Sequence, residues 1–368
     1  MHAHLSSARL AFVMILAAAT AAPAAAQQPE RYALVGANVA VYNLAGEVRI
    51  EPGGGSEVVV ELTRGGADAG VLEVDVGDVG GWQSLRVIYP SDRIVYPRMG
   101  IFSSTDMRVR TDGTFGSIGM PGAGDQRSET MAFARERGRH VRITGRGDGI
   151  EAYADMRVLV PQGQRIAVFL GVGHATVSNV DGALLVDVSS ASIEASGTRG
   201  WLRLDTGAGS IELHGAEGEV ILDTGSGHIE AENVRGPRLV MDTGAGRVEA
   251  RGIEVDALNV DTGSGSVNLA DVSSRVIRVD TGSGSVRLGL LSDVDDLEID
   301  TGSGSVTLSV PETLGADIRV DTGSGGIMVD IPMQAREFRR SRLRGTIGDG
   351  AGRIEIDTGS GGVRLVRR

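Results

Sequence analysis

The sequence predicts an all-β fold: a parallel β-solenoid of about ten coils, right-handed by the crossover rule, with a less regular N-terminal β region. Three observations carry this expectation. An Asp-Thr-Gly-Ser/Ala corner recurs at Asp205, Asp223, Asp242, Asp261, Asp280, Asp300, Asp321 and Asp357. Apolar residues alternate on both sides of each corner, as Ile277 and Val279 before Asp280 and Val286 and Leu288 after it. The composition is 41 % hydrophobic but only 4 % aromatic, with 55 glycines, which suits a thin core of Val, Ile, Leu and Ala between tight turns.

Taken in chain order, residues 1–26 read as a signal peptide. Arg9 supplies the positive charge, Leu10 to Thr20 the apolar run, and Ala24-Ala25-Ala26 the small-residue cleavage pattern. The expectation is an exported protein, periplasmic or secreted to the cell surface, with no transmembrane segment after cleavage. With no cysteine there is no disulfide framework.

Residues 27–163 read as an irregular β region or cap. Alternation is visible at Val58/Val60/Leu62 and Leu85/Val87/Tyr89, dissolves into an expected long loop between Met99 and Arg139, and resumes at Met156/Val158/Val160.

Residues 164–368 read as the solenoid. From Asp205 the corners follow at intervals of 18, 19, 19, 19, 20 and 21 residues, then 36. Degenerate copies at 168–177 and 184–193 extend the series upstream, as a capped stack should show. Two glycines per corner and β-branched flanks oppose helix. One unit cannot bury its apolar face alone, so units must stack with equivalent strands parallel.

The long last interval places an Arg-rich insertion near 332–348. It is expected to loop outward between coils and to carry an interaction site at Arg336, Arg339, Arg340, Arg342 and Arg344. Guanidinium forks suit phosphate or carboxylate, so the expected partners are anionic envelope polysaccharide, lipid headgroups or a protein. Arg364, Arg367 and Arg368 are expected to discourage pairing of the last exposed strand.

The corner itself looks catalytic, because Asp-Thr-Gly-Ser resembles the active-site loop of aspartic proteases. Those enzymes need two carboxylates facing each other in a closed cleft, whereas a repeated corner gives a solvated column. The corner therefore reads as a turn in which Asp accepts backbone N–H groups and Gly supplies a positive φ. Calcium spacing is absent, and the Thr column reads as a hydroxyl ladder tying coils together rather than an ice-binding face. His140, His174, His214 and His228 show no metal spacing, and no cofactor or metal is expected. Arg146-Gly147-Asp148 reads as a plain turn. A net charge of −12 with no lysine argues against nucleic acid, and the missing lysine excludes a phosphate-binding P-loop. The outward slot after each corner runs Glu212, Glu230, Glu249, Asn268, Arg287, Thr307. It reads first as a solvated strand face and second as a binding surface.

The chain resembles the bacterial "putative adhesin" β-solenoid proteins, a domain family of unknown function. The residues that carry the resemblance are Tyr42-Asn43-Leu44-Ala45-Gly46-Glu47-Val48, the repeated Asp-Thr-Gly-Ser-Gly-Ser-Val corners, and Gly345-Thr346-Ile347-Gly348-Asp349-Gly350 with Asp357-Thr358-Gly359-Ser360-Gly361. It spans about residues 40–368 and implies a solenoid with an adhesin-like role. The expected function is that of an exported, non-catalytic surface or envelope protein. The alternative is a carbohydrate-active hydrolase or lyase on the same scaffold, with its acids and bases in the 99–139 segment or after Asp321.

Overall fold

The computed structural model describes residues 29–120 and 138–368. The expected signal peptide, and residues 121–137 of the expected long loop, lie outside them. The fold is a β-solenoid. Strands of successive coils pair in parallel within one 21-stranded sheet, and a 4-stranded sheet accompanies it. Among the described residues the one helix is a 3-10 turn, Ala69–Val71.

Each coil is built by its alternation. In Val267–Thr281 alternate apolar residues point inward, and Val267, Leu269, Ile277 and Val279 are all buried, as are Val248, Leu258 and Val260 in the coil before it. Aligned in parallel register, equivalent side chains stack into continuous columns of Leu, Ile and Val. Each such side chain contributes about 1.5–3 kcal/mol on burial.

Two kinds of bend close a coil. The Gly-rich corner is one, and none of its glycines has a positive φ. What requires glycine there is close approach: a Cβ on Gly263 would collide with the carbonyl oxygen of Gly244, and one on Gly265 with that of Gly246. The second bend is the left-handed one. Asn179, Gly197, Gly215, Asn233, Gly252 and Asp271 occupy it in successive coils with φ between 55° and 78°. Only Gly, Asn and Asp take that position, since other side chains strain there.

The stack begins earlier than residue 164. Asn38–Pro52 forms a coil that pairs in parallel with Gln164–Ser178, so the expected boundary at 163 does not separate a cap from the solenoid. Residues 53–120 and 138–163 leave the stack after that coil and close its end. Trp82–Ile88 and Tyr153–Val160 extend the two faces in parallel, and Glu73–Val79 and Val58–Gly65 turn them antiparallel. A buried polar knot fixes the junction: Tyr89 Oη donates to Asn43 Oδ1 at 2.8 Å, and Asn43 Nδ2 donates to the Ala154 carbonyl at 2.7 Å. The expected 99–139 loop holds a strand, Ser104–Val109, antiparallel to Arg139–Thr144. Thr105, Met107 and Val109 do alternate inward there, between charges that mask the pattern.

The far end departs from chain order. The coil of Asp357 and Val363–Arg367 lies between the coils of Asp300 and Asp321, parallel to both. The last strand is therefore interior, so Arg364 and Arg367 do not guard an exposed edge. The expected Arg-rich insertion is not an outward loop between coils. It is an antiparallel hairpin, Gln334–Arg339 and Arg342–Ile347, that pairs with Ala316–Thr322 and closes the stack.

Candidate functional site

At every regular corner the threonine, not the aspartate, holds the turn. Thr262 Oγ1 donates to the Gly246 carbonyl of the preceding coil at 3.1 Å and accepts the Gly265 N–H at 3.0 Å. Thr243, Thr281 and Thr301 repeat both bonds. All these hydroxyls are buried, so they tie coils together and do not face solvent.

The aspartates stand outward in one ladder, in the spatial order Asp205, Asp223, Asp242, Asp261, Asp280, Asp300, Asp357, Asp321. Neighbours in such a ladder are about 4.8 Å apart. Asp187 continues it toward the N-terminal end. There the next two positions hold Phe169 and Tyr42, stacked at 4.6 Å and covered edge-on by Phe115. Burial, with Asp205 adding to it, pushes the Asp187 carboxyl up to about 7. Burial and then neighbouring aspartates also raise Asp223, Asp261 and Asp300. Arg203 Nη2 offsets part of this, 2.8 Å from Asp205 and 3.5 Å from Asp223. The far end is closed by cations: Arg319 and Arg342 each reach Asp321 at 2.8 Å. They hold its carboxyl below the usual range against the effect of burial.

The other outward ladder, on the strands after the corners, is in unbroken register. It runs Glu194, Glu212, Glu230, Glu249, Asn268, Arg287, Thr307, Arg364, and ends on Met328. Charge is segregated along it, acidic at one half and basic at the other. Glu212, Glu230, Arg287 and Arg364 are exposed and make no ion pair among the described residues. Nearby arginines do pair, such as Arg275 with Asp295 at 2.6 Å and Arg367 with Glu312 at 2.8 Å. Two shallow grooves lie over the acidic half. One of about 200 Å³ is lined by Glu212, His228, Glu230 and Arg247, and one of about 140 Å³ by Glu232, Arg251 and Asn268. Two of the four histidines sit at its margin: His214 Nδ1 lies 3.4 Å from Glu232, and His228 Nδ1 accepts the Arg247 backbone N–H at 3.0 Å.

The family model described as Toastrack DUF4097 matches residues 124–366, well over half of the chain. The chain belongs to the Toastrack family. A comparison with curated proteins finds no match. One solved structure with which the Toastrack chain aligns is described as a putative cell adhesion protein from Clostridium sporogenes. The alignment has 8 % identity and a TM-score of 0.16, and covers 93 % of this chain and 100 % of that one. A likeness at that level carries no argument.

In this Toastrack chain the five arginines of the expected interaction site fall on the closing hairpin. Arg336 bonds Asp317 at 3.1 Å and Arg342 bonds Asp321 at 2.8 Å, while Arg339 and Arg344 lie 3.2 and 3.9 Å from Glu337. Arg340 alone of the five makes no ion pair among the described residues. A shallow space of about 380 Å³ beside the hairpin mixes Arg336, Arg344 and Arg319 with Asp317 and Glu355. Arg146-Gly147-Asp148 occupies an exposed bend between Arg139–Thr144 and Ile150–Glu151 of the small sheet. Arg364 had no place in the outward ladder as read from sequence, because nothing in the chain order reveals that its coil is inserted beside Thr307.

Proposed function

We propose that this Toastrack protein is exported and works without catalysis, as an adhesin-like binding and structural component of the cell envelope. The contact surface in this reading is the flat face after the corners. The observation that supports it is the segregated ladder in which Glu212, Glu230, Arg287 and Arg364 stay exposed and unpaired. Like charges in neighbouring strands repel, and a face serving only as a solvated surface gains nothing from grouping them by sign. A rigid ladder also fixes the spacing of these groups with little ordering cost on binding, which suits an extended partner. The targeting pattern in residues 1–26 supports export.

The test is retention of purified protein on immobilised envelope fraction from its own host, at low and high salt. A variant with Glu212, Glu230, Arg287 and Arg364 changed to Ser should lose most of the salt-sensitive retention. Retention equal to that of the parent would place the contact surface elsewhere.

A further inference from the structure

We infer that the face after the corners is self-complementary, and that two copies pack it face to face with their stacks antiparallel, about a two-fold axis at Asn268. The inference rests on the contact-surface reading and names the partner of that face as a second copy of this chain.

The register sets the pairing. Asn268 is the neutral centre of the ladder, with Glu249 one strand to one side and Arg287 one strand to the other. Glu212 stands three strands away on the acidic side, and Arg364 three strands away on the basic side. A two-fold axis along the strand direction reverses the stack and keeps each ladder opposite itself. Glu249 then meets Arg287 of the second copy, and Glu212 meets its Arg364. Glu230 falls opposite Thr307, bracketed by both arginines. Each contact is made twice, as an isologous interface requires. A parallel arrangement would instead set the glutamate block against itself.

Side-chain size follows the same symmetry. On the acidic half the flanking outward positions hold the long side chains His228 and Arg247. The positions that the axis brings opposite them are Ser305 and Ser285. Ridges on one half therefore face furrows on the other. The seven strands from Glu212 to Arg364, each presenting three outward residues, offer about 680 Å² per partner, close to the size of a standard specific interface. Such an interface is polar, so its affinity should fall with salt.

The experiment is sedimentation of the purified protein with two charge-reversed variants, Arg287→Glu with Arg364→Glu, and Glu212→Arg with Glu249→Arg. Circular dichroism should match the parent for both, since all four positions lie on the surface. The parent should be a dimer at about 50 mM salt, with its dissociation constant rising at least about tenfold near 500 mM. Each variant alone should be monomeric. Mixed in equal amounts, the two should form a heterodimer, because every reversed contact again joins opposite charges. A monomeric parent at low salt overturns the inference, as does a variant that dimerises like the parent. Failure of the mixture to associate overturns the antiparallel register. A parent that sediments as a monomer yet is retained on envelope material would overturn self-association and leave the contact-surface reading standing.

Discussion

Asp357 pairs in register with Asp300, although the chain passes through a complete coil and a hairpin between them. The C-terminal coil is thus wedged into the stack and not laid on its end. Its corner glycine is enclosed like a central one. A Cβ on Gly359 would collide with the Gly302 carbonyl, and one on Gly323 would collide with that of Gly359.

Gly359→Val should therefore be about as damaging as Gly263→Val, each costing on the order of 3 kcal/mol or more through forced separation of neighbouring coils. Chemical denaturation of the two variants checks this. A stack in chain order, with Gly359 at a free end, would make the Gly359 variant markedly milder.

The left-handed bend gives a contrasting prediction. Asn233 sits there at φ 55° with an exposed side chain. Asn233→Gly should be within about 0.5 kcal/mol of the parent, whereas Asn233→Val should cost about 1–2 kcal/mol from backbone strain alone. Equal melting temperatures for the two variants would contradict that assignment of the bend.

Protonation of the aspartate ladder sets an unusual pH dependence. The Asp187 carboxyl lies near 7 in the fold, and Asp223, Asp261, Asp300 and Asp357 are also raised. The unfolded chain titrates near 3.9, so the folded state binds these protons more tightly. Stability then rises as pH falls through the folded values, from about 7 toward 4, and is lost as pH climbs back. Asp321, lowered by its arginines, opposes this only at the acid end of the range. Stability should be greater at pH 5 than at pH 7.5 by on the order of 1–3 kcal/mol, seen as a higher melting temperature, and Asp187→Asn should remove much of the difference. A melting temperature that falls steadily over that range would contradict the account.

Much of this was legible in the sequence, and the reasons are local. Period-two alternation and an 18–21-residue repeat fix a parallel stack almost unaided. The alternation also contains the role of threonine: with Val279 inward and Asp280 outward, Thr281 must point inward, although the motif draws attention to the carboxylate. The glycines were legible as necessary but not for the right cause, because close approach of coils and positive φ demand the same residue. Asn233 and Asp271 were hidden because a left-handed position accepts three residue types and so leaves no fixed motif. The insertion of the Asp357 coil could not be read. The segments around Asp321 and Asp357 carry nearly the same corner, and only the hairpin with Arg336 and Arg342 decides which of them lies outermost.

The claim on which the rest stands is that the Asp-Thr-Gly-Ser repeat is an architectural corner held by its threonine. Thermal unfolding of Thr262→Val beside Asp261→Asn tests it most directly. Thr262→Val removes a buried hydroxyl that serves the Gly246 carbonyl and the Gly265 N–H. It should cost about 1–3 kcal/mol. Asp261→Asn relieves repulsion within the ladder and should be neutral or slightly stabilising at pH 7. The reverse order, with Asp261→Asn the more destabilising, would contradict the account.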